Sequence, residues 1–121
     1  MKKAVIFNLF NTPENPLNAL LDEKLDAITA LDIVELLEKL EKEFKNIDKV
    51  RVKLVKDILW IDENWKVLNQ DNPDKMKEFN AELNKILEQD TEVQKIKLNA
   101  SGLKIKPKDV ILLKNVINFI K

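Results

Sequence analysis

A long apolar stripe between Asp26 and about Ile61 constrains the fold of this chain more than any other feature. Once Arg51 is counted as a member, its residues follow one another at alternating spacings of three and four, the repeat of a helix packed along a partner helix. No Gly or Pro interrupts the segment, so the pattern predicts a helix of about 35 residues, which is about 50 Å long at 1.5 Å per residue. The stripe consists of Ala30, Ile33, Leu37, Leu40, Phe44, Ile47, Leu54, Ile58 and Ile61, with Arg51 at its one charged position.

Such a helix is longer than the core of a 121-residue domain needs, so part of its stripe is expected to contact another chain. Arg51 is a candidate interface residue within it, and two interpretations are open. In the first, Val50 or Val55 takes over the core contact while the Arg51 side chain reaches the rim. In the second, Arg51 forms a buried or interfacial ion pair that fixes the register of a packed partner.

Further helices are predicted on both sides of the long one. Asn72 is a typical N-cap and Pro73 a typical first helical residue, so a helix is expected from there to about Gln89. Residues 17–24 are expected to form a short helix, and Pro107 to open a last helix that reaches Ile120. That last helix is apolar over most of its circumference, so it is either central to the core or half of an interface.

Alternating or extended segments predict a small sheet from residues 3–10, 64–69 and 91–98. In residues 3–10 the alternation is carried by Val5, Phe7 and Leu9. The expected fold is therefore mainly α (α+β), a single domain over residues 1–121. In it a long amphipathic helix packs with two or three shorter helices and a small sheet of two or three strands.

Trp60 and Trp65 flank the polar turn that is expected to follow the long helix. In one interpretation both indoles close the end of the helical core. In the other, at least one is exposed as an anchor for a partner, because Trp is enriched at binding hot spots. Both residues are therefore candidates for a partner interface, together with Arg51.

The residue types that perform most enzyme chemistry are missing. The chain contains no Cys, His or Tyr and a single Gly, Gly102, which excludes thiol and His-based catalysis, His/Cys zinc sites and Gly-rich phosphate loops. Acidic pairs such as Asp62-Glu63 lie in segments expected to be solvated and lack the pattern of a calcium loop. No metal, no cofactor and no enzymatic activity are expected.

Charge and hydropathy limit the partners. The 21 basic and 21 acidic residues balance, so a nucleic-acid partner is not expected. No stretch approaches the roughly 20 apolar residues of a membrane span, and the N-terminal apolar run is broken at Asn8, too early for a signal peptide. These features predict a cytoplasmic protein without a membrane partner.

Sequence blocks in a fixed order lie between about residues 24 and 120. They are Leu37-Glu38-Lys39-Leu40-Glu41-Lys42-Glu43-Phe44, Arg51-Val52-Lys53-Leu54-Val55, Asp62-Glu63-Asn64, Glu78-Phe79-Asn80-Ala81-Glu82-Leu83, Ile86-Leu87, Glu92-Val93, Ile96-Lys97-Leu98 and a final apolar segment. This order resembles a group of small helical proteins of tailed bacteriophages. The similar proteins usually have a Tyr-Gly pair and a Gly at the turn, where this chain has Leu59-Trp60 and Trp65, so the turn is expected to be built differently. They often begin the long helix with Pro, and Asp26 stands near that place.

The resemblance implies a phage origin and no catalytic residues. The leading hypothesis is a phage-encoded accessory protein of the host cytoplasm that acts by stoichiometric protein–protein binding, as an inhibitor or modulator of a host or defence protein. The alternative is a virion structural or assembly component, such as a tail chaperone or head accessory protein. The expected partner is a host or phage protein, or a second copy of this chain bound through the long or last helix.

Overall fold

The computed structural model describes residues 1–99 and 102–120. Five α-helices and a two-stranded parallel sheet follow one another in this part of the chain, and the long helix extends over 33 residues when its π-helical end is included. The expectation of a mainly helical α+β fold built on one long helix is confirmed. The elements are α1 (Lys3–Phe10), α2 (Pro16–Leu21), α3 (Ala27–Leu54) with a π-helical segment (Val55–Leu59), α4 (Pro73–Leu87), β1 (Ile96–Asn99), α5 (Pro107–Leu113) and β2 (Ile117–Ile120).

The long helix forms where the apolar stripe predicts it. Asp26 caps its start: the carboxylate oxygen Oδ1 accepts the backbone N–H of Thr29 at 2.8 Å. Every position of the predicted stripe is buried or half-buried against this chain's own residues, whereas Ile28 and Leu31, off the stripe, are exposed. The helix widens into a π-helical turn after Leu54 and ends at Leu59, within the predicted end region.

The main core lies around the first two thirds of α3. α1, α2, α5 and both strands bury side chains against it, among them Ile6, Leu17, Leu98, Leu113 and Ile117. Since the last segment of the chain contributes several of these residues, its apolar character is explained mostly by the core. Ile111 and Ile120, in the same segment, stay exposed.

The prediction of a strand at residues 3–10 is wrong, because this segment is the helix α1. Ile6 and Leu9, spaced by one helical turn, are its buried residues, and the ring of Phe10 stacks on that of Phe44 in α3 at a centroid distance of 5.0 Å. Nearly every residue of the segment is apolar, so its sequence fits a period of two and a period of 3.6 equally well. Packing against α3 selects the helix.

The sheet has two strands, within the predicted two or three, but it is differently composed. Of residues 91–98, only those from Ile96 onward are in a strand, and residues 64–69 contribute a single antiparallel bridge between Ile61 and Val67 instead of a strand. The predicted last helix is wrong beyond Leu113: the chain turns at residues 114–116 and forms β2, parallel to β1. One face of this pair is packed, and the other carries Lys97 opposite Asn118 and is exposed.

α4 returns along the far end of α3. Asn72 caps it as predicted, with its Oδ1 accepting the N–H groups of Asp74 and Lys75 at 3.1 and 3.2 Å. The helix contacts the π-helical segment and α3. A second apolar cluster forms there, separate from the main core, and its buried members are Ile58, Leu59 and Phe79.

None of the helices in the described ranges is both long enough and apolar enough to cross a membrane.

Candidate functional site

The candidate site is the connection between α3 and α4, which folds as a short hairpin over residues 60–68 and is called the tryptophan hairpin here. The N–H of Leu68 donates to the carbonyl of Trp60 at 3.0 Å, and Ile61 forms an antiparallel bridge with Val67. Val67 packs into the second apolar cluster. The hairpin is therefore fixed to the end of the long helix by main-chain bonds and by an apolar side chain.

The tip of the hairpin is a three-residue loop, residues 63–65, that is closed by two backbone hydrogen bonds of Asp62. The carbonyl of Asp62 accepts the N–H of Trp65 at 3.0 Å, and its N–H donates to the carbonyl of Lys66 at 3.0 Å. Its side chain reinforces the loop, because Oδ1 accepts the N–H groups of Asn64 and Lys66 at 2.8 and 2.9 Å. This bonding pattern is that of a turn followed by a bulge residue in the left-handed conformation.

Trp65 occupies that bulge position. Its φ is +63°, a region that Gly adopts without cost and that a bulky side chain rarely adopts. The backbone of this turn takes a glycine-type conformation and carries an indole on it. The expectation that the turn is built differently from that of the similar phage proteins stays a prediction. The hydrogen bonds of Asp62 hold this conformation in place.

Trp60 is in a second unusual conformation, at the junction between the π-helical segment and the hairpin. Its φ is +63° and its ψ is 146°, close to a region populated almost only by Gly. The conformation ends the helix and turns the chain back, so that the carbonyl of Leu59 accepts the N–H of Asn69 at 3.0 Å. Trp60 and Trp65 are the non-glycine residues with positive φ in the described part of the chain.

Three large apolar side chains are exposed on this hairpin, and together they form what we call the tryptophan patch. Trp60 is 52% exposed, Trp65 72% and Leu68 53%. The interpretation in which both tryptophans close the helical core does not describe this arrangement, because half or more of each indole faces solvent. The sequence had singled out the two tryptophans but not Leu68, which no motif distinguishes.

Lysine side chains lie over both indoles. The Lys56 ammonium is 5.2 Å from the ring centroid of Trp65, and the Lys75 ammonium is 5.6 Å from that of Trp60. Both distances fall within the range of cation–π attraction. The lysines cover part of each indole, an arrangement that the sequence pattern did not indicate.

Arg51, the third predicted interface residue, belongs to a different place. Its Nε donates to Oδ1 of Asp48 at 2.9 Å, one turn earlier on the same face of α3, and both side chains are partly exposed. Arg51 does not line the hollow beside the two tryptophans. The structure thus brings Trp60 and Trp65 together and leaves Arg51 outside their site.

The described residues contain no cluster of three or more His, Cys, Asp and Glu side chains that would hold a metal ion. The ion pairs near the hairpin are local, such as Lys53 Nζ with Asp57 Oδ2 at 2.6 Å. The hairpin exposes apolar surface, indole faces and carboxylates. These groups can bind a partner through apolar, cation–π and hydrogen-bond contacts.

Comparison of the chain with protein-family models, with curated proteins and with solved structures finds no match.

Proposed function

We propose that this protein acts by stoichiometric protein–protein binding and that the tryptophan patch is its principal contact surface. One observation carries the proposal: two exposed tryptophans occupy glycine-type backbone positions on one hydrogen-bonded hairpin. Large, rigid aromatic side chains that project from a fixed scaffold are typical of binding hot spots.

The unfavourable backbone conformations support this proposal. A left-handed conformation costs a bulky L-residue about 1–2 kcal/mol, and Gly at the same position would avoid that cost. Burial of the side chain in the core would offset it, yet most of the Trp65 indole is in solvent. Strained positions that folding does not require are concentrated at functional sites, so the indoles are expected to contribute in a bound state.

The partner is proposed to be a host or defence protein that this chain inhibits or modulates in the host cytoplasm. This part of the proposal, like the phage origin, is supported by the resemblance of residues 24–120 to small phage proteins. The binding role itself does not depend on it, because the hairpin geometry is independent of the source of the chain.

The test is affinity capture with matched variants. Tagged wild-type protein, the double variant Trp60→Gly/Trp65→Gly and the control Glu41→Gln are used as baits in the same host extract. Glu41 is an exposed residue on α3, remote in sequence from the hairpin and outside both candidate surfaces. We expect one protein to be retained in stoichiometric amount by the wild type and the control and to be lost with the double variant, whose circular dichroism stays helical. Equal retention by all three baits would contradict the proposal.

A second candidate function, assembly with copies of itself or with other phage proteins, is favoured by a different surface. Ile28 and Leu31 are 76% and 56% exposed on the first turns of α3. Adjacent exposed leucine and isoleucine side chains are a typical self-association surface. Light scattering distinguishes the two functions: an assembly protein forms oligomers that Leu31→Glu dissociates, whereas a binder of foreign proteins is monomeric in both forms.

A further inference from the structure

A hollow of about 580 Å³ opens beside the tryptophan patch. Its walls are formed by the two indoles, and its charged lining consists of two carboxylates and one ammonium, a formal charge of −1. The lining residues are Lys56, Trp60, Ile61, Asp62, Glu63 and Trp65.

The carboxylates of this hollow have free acceptor capacity. Oδ1 of Asp62 is used by two backbone N–H groups, and within residues 1–99 and 102–120 its Oδ2 makes no hydrogen bond or ion pair. The Glu63 carboxylate is exposed and has no hydrogen-bond or ion-pair partner in that same part of the chain. A ligand that donates hydrogen bonds would therefore find unused acceptors beside two aromatic faces.

The indoles already attract cations within the chain. Lys56, which lines the hollow, contacts Trp65 at 5.2 Å and forms no ion pair among the described residues. Lys75 contacts Trp60 at 5.6 Å from outside the hollow, since it is not part of its lining. Because Trp65 is 72% exposed, Lys56 covers only part of it and leaves aromatic surface for a second cation.

From these observations we infer that the hollow receives an arginine side chain of the partner protein. The inference rests on the proposed function and specifies the chemistry of its partner. A guanidinium is planar and stacks on an indole face while its N–H groups reach carboxylate oxygens. The hollow provides both an indole face and carboxylate oxygens. Its single positive charge would neutralise the lining. A lysine ammonium has no plane to stack, so it fits the hollow less well.

The test uses the full chain and a small probe, N-acetyl-arginine-N-methylamide, with the norleucine analogue as an uncharged control. The chain has two Trp residues, so the two indole N–H resonances in NMR spectra report directly on the hollow. We expect the arginine probe to shift both resonances with a Kd on the order of millimolar, as for one side chain without its protein context. The norleucine analogue should shift them at least severalfold less.

Two variants sharpen the test. Lys56→Met keeps an apolar chain of similar length and removes the competing ammonium, so it should bind the arginine probe about threefold or more tighter. Glu63→Gln removes a carboxylate and should bind it about threefold or more weaker. Glu41→Gln, an exposed carboxylate on α3 remote in sequence from the hairpin, serves as the matched control and should leave the Kd unchanged.

The outcomes separate this inference from the proposed function. If the arginine probe shifts neither resonance, or no more than the norleucine analogue does, the assignment of an arginine is overturned. Loss of a captured protein in the Trp60→Gly/Trp65→Gly variant would still support a binding patch in that case. Conversely, retention of the partner by the double variant overturns the proposed function, whatever the probe does.

Discussion

At the scale of single residues, the informative feature is a tryptophan in a backbone conformation that glycine adopts more easily. The loop around Asp62 has the hydrogen bonds of a hairpin whose bulge residue is left-handed, and Trp65 stands there. The neighbouring Asn64, a residue type that tolerates the left-handed region well, is not the one that adopts it. The loop register, set by Asp62, determines which side chain receives the unfavourable φ.

Trp65→Gly should be at least as stable as the wild type and more stable than Trp65→Ala by about 1 kcal/mol, because Ala keeps the left-handed penalty and Gly does not. Both variants lose the indole, so the comparison isolates the backbone. Urea denaturation followed by circular dichroism measures the free energies of unfolding. An alanine variant as stable as the glycine variant would show that the positive φ of Trp65 carries no cost.

Arg51→Leu should change the free energy of unfolding by no more than about 0.5 kcal/mol and leave the oligomeric state as it is. Arg51 pairs with Asp48 within its own helix, both side chains are more than a third exposed, and such pairs contribute little. Urea denaturation and light scattering provide the two measurements. A change in mass or in partner affinity would instead favour the interpretation of Arg51 as an interfacial ion pair.

At the scale of elements, a sustained stripe and marked helix starts predicted the structure, whereas a short apolar alternation did not. α3 was predictable because a stripe sustained over many turns fits one structure only, and the starts of α4 and α5 because a cap or a proline marks the first helical turn. Residues 3–10 are too short and too apolar for their period to decide between strand and helix. β2 depends on parallel pairing with β1, which lies about 20 positions earlier in the chain, and no local signal reports a contact of that kind.

The sequence predicted where the candidate site lies but not its conformation. Two tryptophans around a polar turn indicated the position, whereas the hairpin, the exposure of the indoles and their positive φ follow from the loop register and from the end of the π-helical segment. The cation–π contacts arise from Lys56 on the π-helical segment and Lys75 on α4, which only the tertiary structure brings to the indoles.

The two kinds of leucine on α3 provide a prediction at this scale. Leu40 is fully buried in the main core, so Leu40→Ala should lower the free energy of unfolding by about 2–5 kcal/mol. Leu31 is 56% exposed, so Leu31→Ala should stay within about 0.5 kcal/mol of the wild type. Urea denaturation of both variants checks the assignment of the buried stripe, and similar losses in the two would place Leu31 in an interface.

At the scale of the whole molecule, the N-terminal segment is tied to the region after α4. The N–H of Lys3 donates to the carbonyl of Gln89 and the N–H of Thr91 to that of Met1, each at 2.9 Å. Beside these backbone bonds, Lys2 Nζ and Glu88 Oε2 form a solvent-exposed ion pair at 2.7 Å. Two segments distant in sequence, residues 1–3 and residues 88–91, are thereby joined.

This ion pair has a defined pH dependence. The hydrogen bond and charge of Lys2 hold the pKa of Glu88 below its ordinary 4.5, and those of Glu88 raise the pKa of Lys2 above 10.5. The contribution of the pair to stability is therefore present between pH 4.5 and 10.5. It is lost as the pH falls through the lowered pKa of Glu88 or rises through the raised pKa of Lys2.

Lys2→Met should return the pKa of Glu88 toward 4.5, which NMR titration of its carboxyl carbon measures. Lys3→Met is the matched control, because Lys3 Nζ bonds to the uncharged Oε1 of Gln89 and should leave the pKa of Glu88 low. An unchanged pKa in Lys2→Met would show that the ion pair does not persist in solution.

Because the two apolar clusters lie at different parts of α3, we expect the protein to open in two steps: local unfolding of the smaller cluster and global unfolding of the whole fold. The main core holds α1, α2 and the sheet to α3, while the smaller cluster around Phe79 holds the end of α3, the π-helical segment, the tryptophan hairpin and α4 as far as Leu83. Fewer buried contacts make the smaller unit the first to open, and global unfolding includes its opening. A substitution in each cluster should therefore affect the two regions differently.

Leu113→Ala, in the main core, should accelerate hydrogen exchange of α1 amides by lowering their opening free energy by about 2–5 kcal/mol. The same substitution should leave the amides of the hairpin and of the first half of α4 unchanged, because their opening does not expose Leu113. Phe79→Ala should accelerate exchange in both regions, since both openings expose Phe79. Equal acceleration everywhere by Leu113→Ala would mean that the bundle opens only as a whole. With the expected asymmetry, the hairpin that carries the two tryptophans can open and close while the bundle stays folded, and partner binding would protect its amides selectively.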